Sequence, residues 1–308
     1  MVYGLSLILV VIFMPQGMVG LFRHRRICLP ERLRRLVAPP PPVKVSRDEK
    51  LISVLSNKAS WGEEDILLEC RGVTKDFGGL VALCRVDLKI RRKEIFGLIG
   101  PNGAGKTTLF NLISGFYSLT SGGIYFRGEK ISGLGRPHQV CRRGIARTFQ
   151  VVKPFGNMTV LENVMVGAFC CEKNPRWAEE EALKIIAFAG LEEKATLPAH
   201  CLTIADRKRL EFARALSTKP DLLLLDEVIA GLNLVEAEQV EEMIRSIRAQ
   251  GITVFLIEHV MESVMSLSDR IAILHHGEKI TEGRPAEVAS DPRVIKAYLG
   301  DEYVLAGR

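Results

Sequence analysis

Nine consecutive residues constrain this chain more than any others: Gly100-Pro101-Asn102-Gly103-Ala104-Gly105-Lys106-Thr107-Thr108. They fit the pattern G-x-x-x-x-G-K-[ST], with Gly100, Gly105, Lys106 and Thr107 in register. The largely apolar run Glu94–Ile99 before them reads as a buried strand, and Thr107–Gly115 after them reads as a helix start. In that strand–turn–helix setting the glycines let backbone N–H groups turn inward on phosphate oxygens, and the helix N-terminus adds a favourable field. Lys106 has the reach for the β- and γ-phosphates of a nucleoside triphosphate, and the Thr107 hydroxyl can ligate Mg²⁺. Such loops serve kinases, GTPases, motors and transporters alike, so the rest of the chain must decide among them.

With 308 residues the chain is long enough for one or two domains with a substantial core. The net charge of +6 raises the question of a nucleic-acid partner. Its location argues against one. Residues 1–50 hold nine Lys and Arg against three Asp and Glu, which leaves 33 of each sign in residues 51–308. The excess therefore sits beside an apolar N-terminus, where a membrane surface accounts for it better. Seven cysteines, an odd number without C-x-x-C spacing, point to reduced thiols rather than a disulfide framework or a zinc site.

Val2–Phe22 carries no charge and has about the length of a membrane-crossing helix, with Pro15 and Gln16 interrupting it. Arg23, Arg25 and Arg26 follow at once, which places the C-terminal side in the cytosol. Residues 1–22 are thus expected to form a transmembrane helix; the plainer alternative is an apolar extension from a start codon set too far upstream. Residues 23–60, basic and containing Pro39–Pro42, read as a linker. Residues 61–303 are expected to form one nucleotide-binding domain.

Within that domain Ile66–Val73 and Val81–Ile90 read as strands joined by a Phe-Gly-Gly turn, and Gly123–Arg127 reads as another. Residues 159–168 and 178–190 read as helices of an inserted helical part, and Asp206–Leu216 is a further helix. Leu222–Leu225 and Thr253–Ile257 have the continuous apolar character of parallel strands buried on both faces. Arg270–Leu274 and Gly277–Thr281 suggest a closing hairpin. The expected fold class is α/β: a parallel core, an antiparallel β subdomain and a helical subdomain, preceded by the one membrane helix.

Leu222-Leu-Leu-Leu-Asp226-Glu227 sets two carboxylates at the C-terminal end of a buried strand, the edge of an open α/β sheet where ligands bind. Asp226 is placed to hold the Mg²⁺ shell, and Glu227 to orient the water that attacks a γ-phosphate.

With these residues on the page, the stretch 66–300 resembles the ATP-binding subunits of ABC transporters, which are P-loop NTPases. The resemblance implies a role for several further positions. Phe77, in Thr74-Lys-Asp-Phe-Gly-Gly79, matches the aromatic on which the family stacks adenine. Gln150, in Arg147-Thr-Phe-Gln150, matches the glutamine that touches Mg²⁺ and the attacking water. His259, in Leu256-Ile-Glu-His259, matches the histidine that reaches the γ-phosphate. Leu202-Thr203-Ile204-Ala205-Asp206 stands where the family signature, usually Leu-Ser-Gly-Gly-Gln, contacts ATP held by a partner. There Thr203 keeps the hydroxyl, Ala205 replaces a glycine, and Asp206 is expected to set a negative charge near the partner's triphosphate.

Ala230-Gly-Leu-Asn233 and Asp291-Pro-Arg-Val-Ile-Lys-Ala-Tyr-Leu-Gly300 are similar to the branched-chain amino acid importer group. The segment Val2–Phe22 is similar to the last membrane helix of the permease in those transporters. The resemblance implies an ATPase bound to ATP and Mg²⁺ on the cytoplasmic face of the inner membrane. It further implies permease subunits, a second ATP-binding subunit and, indirectly, an extracytoplasmic solute-binding protein. Three other readings stay open on the sequence: an exporter or lipid-transport ATPase, a soluble ABC protein acting on nucleic acid or ribosomes, and a binding-only regulatory subunit.

Overall fold

The computed structural model describes residues 66–294, so the expected membrane segment and linker lie outside the described residues. Among the described residues no helix is long and apolar enough to cross a membrane.

The chain opens with β1 (Ile66–Asp76) and β2 (Val81–Arg91), an antiparallel pair whose alternating residues Val86, Leu88 and Ile90 face inward. The first strand runs three residues past the expected Val73. Its polar end Thr74-Lys75-Asp76 breaks the alternation, but Lys75 and Asp76 still pair with Leu83 and Val81 beyond a bulge. After β3 (Ile95–Ile99) and α1 (Lys106–Ile113), strands β4 (Ser121–Phe126) and β5 (Glu129–Lys130) complete a four-stranded sheet in the order β2-β1-β4-β5.

Next come α2 (Pro137–Arg142) and β6 (Ile145–Arg147), then the helical part: α3 (Val160–Ala168), α4 (Pro175–Phe188) and α5 (Ile204–Leu216). Capping residues set the starts of these helices. Thr159 and Glu162 form a reciprocal capping box at α3, Asn174 caps α4 ahead of Pro175, and Thr203 caps α5. The last of these places the helix start at Ile204, two residues earlier than expected.

β7 (Leu222–Asp226), α6 (Leu234–Ala249), β8 (Thr253–Ile257) and α7 (Met261–Leu267) return the chain to the main sheet, and β9 (Arg270–His275), β10 (Glu278–Gly283) and α8 (Pro285–Ala289) close it. The six-stranded sheet has the order β10-β9-β3-β8-β7-β6, parallel except for the β9–β10 hairpin.

Strand alternation divides the core in two. Ile95 and Ile99 of β3, with Leu223 and Leu225 of β7, face the helices; Phe96, Leu98, Leu222 and Leu224 face the antiparallel sheet. On that second side Phe96 and Phe110 each meet Phe255 edge to face, with centroids 5.4 and 4.8 Å apart. Each such ring is fully buried and contributes about 1.5–3 kcal/mol over its exposed state. The register aligns the ends of β3, β7 and β8, with Asp226 opposite Ile257. That alignment brings the loops after these three strands to one rim.

Candidate active site

The loop after β3 needs glycine for physical reasons. Gly105 has φ +102, and a Cβ there would stand 2.5 Å from the Ala82 carbonyl oxygen; one at Gly100 would collide with the Leu274 carbonyl. Packed this closely, the loop feeds directly into α1, with Thr107 and Thr108 in its first turn. Lys106, only 9% exposed, donates from Nζ to the carbonyls of Gly100 at 2.7 Å and Pro101 at 3.1 Å. Burial lowers its pKa, opposed by the nearby carboxylates of Glu227 and Asp226.

Asp226 ends β7, 2% exposed. Its Oδ2 accepts from Arg147 Nη2 at 2.8 Å, while Oδ1 is buried with no hydrogen-bond partner. Burial raises the Asp226 pKa, and the Arg147 hydrogen bond and charge oppose that rise. An orphaned buried carboxylate oxygen at a strand end beside a phosphate loop fits a hard divalent cation.

Glu227 adopts φ +52, a left-handed conformation that costs a non-glycine residue and recurs at functional sites. Its N–H donates to the Ile257 carbonyl at 2.9 Å, which fixes that turn against β8. So aimed, Glu227 Oε2 accepts from Gln150 Nε2 at 2.7 Å, and His259 Nδ1 lies 3.9 Å away. Three residues far apart in sequence therefore meet at one carboxylate.

A cleft of about 630 Å³ gathers several of these parts. It is lined by the Asn102–Thr108 loop, by Gln150 and Glu227, and by Phe77 at its other side. Phe77 is 47% exposed in the β1–β2 turn and meets Tyr117 edge to face at 5.4 Å. An exposed ring held by a second ring offers a flat apolar surface for a base. Gly100, Pro101, Asp226 and His259 do not line the cleft; Asp226, at the end of β7, is held by Arg147.

The signature residues are also absent from this lining. Leu202 is buried, and Thr203 and Ile204 are exposed at the start of α5 with Ala205 half-buried. Asp206 is paired within the chain. The residue is 5% exposed, and its carboxylate turns back to accept from Lys194 Nζ at 2.6 Å and Thr203 Oγ1 at 2.8 Å. Burial pushes its pKa up, but these hydrogen bonds and the Lys194 charge outweigh it and leave the carboxyl below its usual range. Within the chain the negative charge is thus met by Lys194.

Two residues escaped the sequence reading. Arg147 donates to Asn111 Oδ1 at 2.7 Å and Ser114 Oγ at 3.0 Å as well as to Asp226, so it joins α1, β6 and β7. His276, at φ +47 in the β9–β10 turn, lines the cleft beside Gly277. An Arg one strand end before Gln150 was visible, but its partner stands 79 residues away and no spacing rule links them.

The ABC transporter family model matches residues 83–230, and the model of the branched-chain amino acid ATP-binding cassette transporter matches residues 278–304. The high-affinity branched-chain amino acid transport ATP-binding protein BraF of Pseudomonas aeruginosa is 42% identical over 254 residues, covering 76% of this chain and 98% of that protein. The corresponding LivG protein of Escherichia coli is 43% identical over 251 residues, with the same coverage. Among solved structures, the ADP conformation of MJ1267, an ATP-binding cassette of an ABC transporter, superposes with a TM-score of 0.70 at 33% identity, covering 77% of this chain and all of that one. The dimeric cassette MJ0796 bound to ADP and Pi gives 0.65 at 26% identity over 71% of this chain and 99% of that one.

Proposed function

This chain belongs to the ATP-binding proteins of branched-chain amino acid ABC transporters, and we propose that it is the ATP-hydrolysing subunit of an importer for branched-chain or related amino acids. The observation that carries the proposal is the Gln150–Glu227 hydrogen bond of 2.7 Å, set in the same cleft as the phosphate loop and Phe77.

In this reading Phe77 stacks the adenine, and the amides of Gly100–Thr108 with Lys106 hold the phosphates. Thr107, Asp226 and Gln150 would hold Mg²⁺, which supplies charge neutralisation to the phosphate oxygens. Glu227 orients the attacking water and takes its proton, Gln150 fixes the carboxylate, and His259 adds a donor beside them. The gain comes from positioning and from charge met by fixed groups.

Leu202–Asp206 would serve ATP held by a second ATP-binding subunit; the MJ0796 cassette was solved as a dimer, which supports that arrangement. Separate permease subunits, an extracytoplasmic solute-binding protein and a place on the cytoplasmic face of the inner membrane complete the reading. The names of the relatives favour this importer over an exporter of the same fold.

The test is Glu227→Gln in the assembled transporter. ATP binding is expected to persist while hydrolysis falls about 10²-fold or more, the contribution of a positioned base. Hydrolysis at the wild-type rate would remove Glu227 from its role.

A further inference from the structure

Two charged side chains of α5 are buried where the hydrolytic reading has no use for them. Lys208 is 8% exposed and Glu211 7%, three residues apart and so on one face of the helix. Lys and Glu are rarely buried to this degree without a partner. Both have partners, and all of them are backbone groups flanking the reacting pair.

Glu211 Oε1 accepts from Phe149 N–H at 2.9 Å, immediately before Gln150. Lys208 Nζ donates to the Val228 carbonyl at 2.9 Å and to the Ala230 carbonyl, one and three residues after Glu227. Between those two carbonyls, Ile229 N–H donates to Glu258 Oε1 at 2.7 Å. Three consecutive residues after Glu227 are thus pinned through main-chain atoms.

We infer that Lys208 and Glu211 are positioning residues for ATP hydrolysis, holding from one helix the main chain on either side of the Gln150–Glu227 contact. The inference rests on the proposed roles of Gln150 and Glu227. Neither residue touches the cleft itself. A backbone displacement of about 1 Å at a reacting group costs on the order of 10²-fold in rate, so fixing both flanks has kinetic value. Burial lowers the Lys208 pKa against the opposing pull of Glu258, and it lifts Glu211 to about 7. Apolar residues at these positions would fill the same space without that cost, which argues that the charges are kept for geometry. Because α5 starts at Ile204, inside the Leu202–Asp206 segment, a displacement of that end would reach both attachments at once.

The experiment uses the complete transporter with Glu211→Leu, Glu211→Gln, Lys208→Met and Gln150→Ala. Glu211→Leu and Lys208→Met are expected to lower kcat about 10-fold or more with the Kd for ATP within about twofold. Glu211→Gln keeps an acceptor for Phe149 N–H and should recover most of the loss. Adding Glu211→Leu to Gln150→Ala should cost nothing further, since Glu211 acts through that residue. A purely structural role would instead lower the thermal midpoint, leave the rate per folded molecule unchanged and give multiplicative losses in the double variant; that pattern overturns the inference. If Glu227→Gln abolishes hydrolysis while both α5 variants retain it, only the positioning role fails. If Glu227→Gln hydrolyses normally, the underlying reading fails first.

Discussion

Lys194 Nζ stands 2.6 Å from Asp206 Oδ2 and cancels the charge that separates this signature from an uncharged one. The pair sets up the first prediction. Lys194→Met leaves the Asp206 carboxylate with the Thr203 hydrogen bond and the more distant Arg209 charge, so more of its negative charge is felt at the exposed start of α5. Hydrolysis by the assembled transporter should fall severalfold, most at low salt, while nucleotide affinity of the single chain stays unchanged. Asp206→Asn in the same chain should restore it. An unaltered rate for Lys194→Met at low ionic strength would show that the charge never reaches the partner's site.

Arg147→Met tests the buried pair that ends β7. Arg147 and Asp226 are both buried, at 7% and 2% side-chain exposure, and the variant leaves Asp226 as an uncompensated buried charge. Breaking such a pair costs about 3–5 kcal/mol. The Asp226 pKa, already raised by burial, should climb further without the guanidinium. A raised carboxyl pKa means that the folded state gains protons as pH falls, so the penalty should be smaller at pH 5 than at pH 8. Urea midpoints at the two pH values decide it; equal losses at both would contradict the assigned cause.

These two pairs also show where the sequence could be read and where it could not. Thr253–Ile257 was legible to the residue, because an apolar run bounded by Gly251 and Glu258 has little choice but a buried strand. The phosphate loop was legible for the same local reason: motif, strand and helix are contiguous. The helix Leu234–Ala249 went unread although its start was marked, since Asn233 and Glu236 form a reciprocal cap. In the sequence Asn233 stands out as part of a group resemblance and not as a cap. Arg147 and Lys194 were not legible at all, because their partners lie 79 and 12 residues away and only the folded chain brings them together.

Phe77→Ala addresses the base-binding end of the cleft. The ring is 47% exposed and contacts Tyr117 at its edge, so its loss should leave unfolding midpoints nearly unchanged. The affinity for ATP should drop about fivefold, the equivalent of about 1 kcal/mol for an aromatic contact. Phe77→Trp should keep or improve it. Equilibrium titration with a fluorescent adenine nucleotide separates these outcomes, and an unchanged Kd for the alanine variant would place the base elsewhere.

Glu258→Gln isolates a buried charge that the fold carries at a cost. Glu258 is 1% exposed, and burial pushes its pKa from 4.5 up to about 7. The Ile229 and His259 N–H groups and the Lys208 charge pull it down, while Glu227 pushes it up. Between those pH limits the folded chain keeps a proton that the unfolded chain has released, so stability falls as pH rises from about 4.5 to 7 and then levels. Glu211, also lifted to about 7, contributes the same sign and remains in the variant. Glutamine keeps the acceptor for Ile229 N–H without the charge. The variant should therefore be more stable than the wild type at pH 8, and its urea midpoint should change less between pH 5.5 and 8. A pH dependence as steep as that of the wild type would mean that Glu258 stays ionised throughout, its charge met by Lys208.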